Sequence, residues 1–195
     1  QSRPDYWIPA NVYVPTGTER FPAVVIQRGH FDAERMSPDY QQLYIDLVSN
    51  GFVVLTFDPV GQGERRQQYA DGDGDVFDNA LSPTLEHCAI GGLLTLLGES
   101  AAAYFVWDGM RAVDYLTSRR DVNRGKIGVT DHTDTGLSSL LLASLDERVQ
   151  CAALHLTGGA RRWPIERECG KRTDDAEQHL LRAALHGVEI LDVLI

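Results

Sequence analysis

GFVVLTFDPVGQGE, Gly51 to Glu64, sets six apolar or β-branched residues in a row ahead of a proline and a glycine-rich turn. A strand with one wet face alternates apolar and polar side chains. A run apolar throughout belongs to a strand covered on both faces, as in parallel sheets. Just before it, Tyr40 to Asn50 carries Leu43, Leu47 and Val48 on one helical face, and Gly51 is placed to stop that helix. Further upstream, PAVVIQRGH (Pro22 to His30) is a second β-branched run ending in Gly-His. Strand, helix, strand in this order is the unit from which parallel sheets are built.

The same alternation continues outward. Asn11–Val14 reads as a short strand ended by Pro15, and a long loop is expected from about Arg65 to Pro83. Ala101 to Arg119 is an amphipathic helix with Phe105, Met110, Val113 and Leu116 at helical spacing. Lys126–Thr130 is a buried strand, Gly136–Leu145 a helix and Val149–Leu156 a further strand. With no internal repeat or low-complexity linker, residues 1–195 read as one α/β domain, a doubly wound and mostly parallel sheet. Ligand sites in such sheets lie at the carboxyl ends of the strands. That brings together the turns after Gln27, Phe57 and Thr130.

Composition narrows the function classes. With 43% hydrophobic and 24% charged residues the chain is globular, and no apolar run approaches bilayer length. A net charge of −10 argues against nucleic acid, whose phosphates need a basic face. QSRPDYW, the first seven residues, shows no basic segment leading into an apolar core, so no signal peptide is expected there. Cys88, Cys151 and Cys169 have neither a disulfide framework nor zinc spacing, and buried thiols are expected.

Several motifs together resemble a known family. These are Gly-His-Phe at 29–31, Asp-Pro-Val-Gly-Gln-Gly-Glu-Arg at 58–65, Glu-His at 86–87, Val-Trp-Asp-Gly-Met-Arg-Ala-Val-Asp-Tyr-Leu at 106–116 and Ile-Gly-Val-Thr at 127–130. In combination they look like the acetyl xylan esterase-like branch of the α/β-hydrolases, over about Ile8 to Leu191. The resemblance implies a carboxylic-ester hydrolase needing no cofactor or metal, and a soluble, secreted or periplasmic setting. It also implies a small ester or acetylated carbohydrate as ligand, with no nucleic acid and no membrane as partner.

In that family the turn after Ile-Gly-Val-Thr is a nucleophile elbow, Gly-x-Ser-x-Gly, whose glycines keep side chains clear of a strained turn. Here the five positions are Asp131, His132, Thr133, Asp134 and Thr135, so both glycines and the serine are replaced. Thr133 keeps a hydroxyl, but its β-branch opposes the positive φ such a turn demands. Asp131 and Asp134 set negative charge where an oxyanion would form. A catalytically silent turn is therefore expected, with Thr133 as a degenerate nucleophile.

The resemblance places the acid and histidine of the triad on later loops. It matches VEILDVLI, Val188 to Ile195, to the helix before the strand that carries the acid. The strands bearing both partners are then expected to be absent, and a second chain or a homodimer is expected to cover the sheet edge.

Around the elbow, the oxyanion and pocket positions implied are His30, Phe31, Asp134, His132, Glu86 and His87. Backbone N–H groups would act at His30–Phe31, and His87 would hold a loop. His155, His179 and His186 show no metal spacing. DGDGD, Asp71 to Asp75, fails as an EF-hand, since the sixth and twelfth positions are Val76 and Ser82 rather than Gly and Glu. Gly61-Gln62-Gly63 lacks the continuation of a nucleotide loop, and reads as a chain reversal whose Arg65 pairs with Asp58 or Glu86. Asp108 and Arg111, one helical turn apart, are expected to pair on the surface.

Overall fold

The computed structural model describes residues 1–30, 34–67, 82–132, 136–155 and 188–194. Strands β1 (Pro9–Pro15), β2 (Phe21–Arg28), β3 (Val53–Phe57), β4 (Val122–His132), β5 (Val149–His155) and β6 (Val188–Leu194) form one sheet in the order β5-β4-β2-β3-β1-β6. β5, β4, β2 and β3 run parallel, while β1 is antiparallel to β3 and β6 antiparallel to β1. Helices α1 (Pro38–Ser49), α2 (Pro83–Leu96), α3 (Ala101–Ser118) and α4 (Gly136–Leu145) connect them.

The continuous apolar runs do what their composition requires. In β2, Ala23 and Val25 join the larger core beneath α3 and α4, whereas Val24 and Ile26 face the second core under α1. Successive side chains of a strand point to opposite faces, so a strand with helices on both sides needs apolar residues at every position. β3 meets the same demand, and all five of its residues are buried. α3 buries Val106, Gly109, Ala112, Val113 and Leu116, spaced by three or four. Gly109 is required by close approach: a Cβ there would lie 2.6 Å from Gln27 Nε2 and 2.7 Å from Leu142 Cδ2.

The structure differs from expectation at three places. Val188–Leu194 is a strand rather than a helix, registered along all of β1 from Pro9 opposite Leu194 to Pro15 opposite Val188. Val188, Ile190 and Val193 are β-branched, and the outer edge of β1 offers unpaired backbone groups that a strand satisfies and a helix does not. Asp108 is fully buried and bonded to Ser2, so Arg111 pairs with Asp114 instead, at 2.5 Å. Cys88 and Cys151 are exposed rather than buried. Cys169 and the acidic run at Asp71–Asp75 lie outside the described residues.

The topology also fixes where a ligand would sit. From β2 the chain passes to β3 on one side, and from β4 it passes to β5 on the other. The connections diverge between β2 and β4, opening a crevice at their carboxyl ends.

Candidate active site

β2 and β4 are in register to their ends, with Gln27 opposite Asp131 and Arg28 opposite His132. β4 stops at His132 and α4 starts at Gly136. In sequence, Thr133–Thr135 links this strand to this helix. Thr133 and Asp134, like Phe31, lie outside the described residues. Asp131 is 5% exposed, a nearly buried carboxylate at the position where an elbow would begin with glycine.

Beside this turn the polar residues of the neighbouring strands are tied down. Gln27 accepts a hydrogen bond from Ser139 Oγ (3.0 Å) and donates to the Phe105 carbonyl (3.4 Å), locking β2 to α3 and α4. Arg28 and Asp58 are fully buried and joined at 2.6 Å. Arg35 closes on the other oxygen of Asp58, on Asn11 and, at 3.1 Å, on Glu64. Burial pushes the Asp58 carboxyl above its ordinary value, and the two guanidinium groups of Arg35 and Arg28 oppose that rise. Gly63 makes the cluster possible. Its φ is +51°, and a Cβ there would fall 2.3 Å from Asp58 Oδ2.

Arg65 reaches a carboxylate other than the two expected. It donates to the backbone carbonyl of Asp58 (2.8 Å) and forms its ion pair with Asp108 (2.8 Å). Asp108 also receives the Ser2 hydroxyl at 2.5 Å, and Trp107 Nε1 donates to the Ser2 carbonyl. The amino-terminal residues are thereby fastened over α3 and the turn after β3. Glu86 is buried too, its carboxylate accepting the backbone N–H of Gln67 at 2.9 and 3.1 Å. It holds the loop.

His30 and His87 are brought together, with Nε2 of His30 2.6 Å from Nδ1 of His87 and Nε2 of His87 2.7 Å from the Val60 carbonyl. A carbonyl only accepts, so His87 carries its proton on Nε2 and accepts at Nδ1, and His30 Nε2–H is the donor. His87 thus ties α2 to the turns after β2 and β3. His132, at the end of β4, is opposite Arg28 on one side and His155 on the other.

Gln27, Phe57, Pro59, His87, Phe105 and Ser138 line a cavity of about 10 Å³, room for about one water. Of these, only His87 is among the pocket positions expected from the sequence. One signal was available for Gln27, a polar residue closing the apolar run Val24–Ile26.

Burial holds His87 below the ordinary histidine value of 6.5, although the Val60 carbonyl pulls it up; the nearby His30 lowers it further. Between the folded and unfolded values the unfolded chain takes up a proton that the native chain refuses. Stability from this group is full above 6.5 and is lost as pH falls from there to the folded value. Urea melts of wild type and His87→Gln should run parallel in alkali and diverge below pH 6.5, with wild type falling faster. Curves parallel throughout would remove His87 as the source.

No family model matches the chain. It is 29% identical over 105 residues to YtaP of Bacillus subtilis (strain 168), named as a hydrolase, which covers 54% of this chain and 29% of that protein. Among solved structures, a Bacteroides fragilis protein described as an acetyl xylan esterase aligns with a TM-score of 0.63 at 15% identity, covering 78% of this chain and 42% of that one. The methylesterase BT1017 aligns at 0.56 and 24% identity, over 73% and 28%. The acetyl xylan esterase of Paenibacillus sp. R4 aligns at 0.50 and 23% identity, over 74% and 43%.

The chain has the α/β-hydrolase fold.

It spans less than half the length of each of these relatives. In the α/β-hydrolase fold the strand-to-helix turn at the crevice is the nucleophile elbow.

Proposed function

We propose that this chain descends from carboxylic-ester hydrolases, is catalytically impaired at its own elbow, and serves as a binding or assembly subunit for a small ester or acetylated carbohydrate. Asp131 carries the proposal. A carboxylate 5% exposed stands where the resembling motif needs a glycine, followed in sequence by His132 and Thr133-Asp134-Thr135. A fixed negative charge there opposes the developing oxyanion that an esterase must stabilise. Among the described residues β5 is one of the two end strands of the sheet, which offers a second chain an edge on which to add a strand.

A second reading, an active esterase using Thr133 or completed by a chain that supplies the acid and histidine, is favoured by the His30–His87 pair. It sets an imidazole just past the end of β2, whose last residues Gln27 and Arg28 lie opposite Asp131 and His132 of β4. Acetate release from p-nitrophenyl acetate and acetylated xylan separates the two. Wild type and Thr133→Ser should both match a heat-killed control, because Asp131, Asp134 and Thr135 remain. Release above that control, abolished by Thr133→Ala, would establish the active reading.

A further inference from the structure

Among the described residues, little covers α2. Its buried residues are Pro83, Glu86 and Leu94. Leu85 is 56% exposed, Leu93 59%, Leu96 84%, and Leu97 at its cap 75%. From Ser82 to Gly98 the one carboxylate is that of Glu86, buried against Gln67, and there is no Lys or Arg. A helix apolar on most sides is stable only when covered, and a contiguous exposed apolar patch marks an interaction surface.

We propose that α2 is the contact through which two copies of this chain associate, packed antiparallel about a two-fold axis near the middle of the helix. Leu85, Cys88, Gly92 and Leu96 follow i, i+3, i+7, i+11 and share one face. In a two-fold contact residue i meets j while j meets i. Read in either direction this face is large, small, small, large. A reversed copy centred on Leu85 opposite Leu96 therefore brings Cys88 within a residue of Gly92, twice over. Gly91 and Gly92 border open space, since a Cβ at either would meet nothing within 4 Å, and a second helix can approach closely there.

Charge selects the occupant. Two chains of net charge −10 repel each other through most surfaces, and α2 presents a face without exposed full charge. The same face gives an anionic lipid or a nucleic acid no cation to meet. α2 and α3 together have the length and composition of a membrane span bent by 106°. However, α3 commits Val106, Ala112, Val113 and Leu116 to burial within the fold.

Sedimentation of the full chain over a concentration series should show a reversible dimer that tightens as salt screens the net charge. Leu96→Glu should weaken it about tenfold or more while leaving the melting temperature of the monomer unchanged, and Leu85→Glu should do the same. With Cys151→Ser and Cys169→Ser in place, a short bismaleimide should join two copies through Cys88. The reversed packing sets those thiols about five residues apart, roughly 7.5 Å along the axis. A chain monomeric at every concentration, or a dimer indifferent to both glutamates, overturns the proposal. So does α2-dependent binding to phosphatidylcholine vesicles in place of dimerisation.

Discussion

Asp58→Ala should lower the stability of this protein by about 3–5 kcal/mol, a large part of what a domain has. The substitution leaves Arg28, fully buried, facing the Asp58 position without its carboxylate, and strips Arg35 of the partner it shares with Asn11 and Glu64. A buried cation deprived of its counter-charge is the expensive case; the pair itself adds little over an apolar replacement of similar volume. The double variant Arg28→Met/Asp58→Leu should therefore lose less than Asp58→Ala alone, although it changes two residues. In thermal melts the single variant should fall by about 10 °C or more. A loss under about 1 kcal/mol, or a double variant worse than the single, would show that the cluster is solvated and replaceable.

That cluster also shows where sequence reading reaches its limit. Gly51 as a helix stop, the apolar runs of β2 and β3, and the amphipathic α3 were all legible, because each depends on residues within about one helical turn of one another. Arg65 was expected beside Asp58 or Glu86, which flank the same turn in the resembling motifs, yet its carboxylate is Asp108, forty-three positions away. Asp108 was expected on the surface because Arg111 lies one turn on; Ser2, at a separation of 106, removes it from water. Nothing local announces such partners.

The ending Val188–Leu194 fails for a related reason. Its apolar residues fit either period, and the choice is made by an edge of β1 nearly the whole chain distant. At the candidate site the strand that ends at the crevice, β4, was legible from Ile-Gly-Val-Thr. The joining of His30 to His87 was not, because a strand end and a helix start fifty-seven positions apart meet only once α2 is in place.

Phe57→Ala is the other large effect expected. Phe57 is a buried residue closing β3, part of the main core and of the wall of the small cavity that Gln27, Pro59, His87, Phe105 and Ser138 complete. Truncating a buried phenylalanine removes its transfer free energy and leaves a void that a close-packed sheet cannot fill, for a loss of about 3–5 kcal/mol. The site matters as much as the size. β3 pairs with β2 on one side and β1 on the other, so its backbone has little freedom to collapse inward. The void should therefore persist and merge with the existing cavity beneath the crevice. An apolar void of that kind stays dry and takes up small apolar molecules. Benzene should raise the melting temperature of Phe57→Ala and leave wild type unchanged. If the variant melts with wild type, or benzene acts on both alike, then the wall is not rigid and the small size of the native cavity does not restrict what the crevice admits.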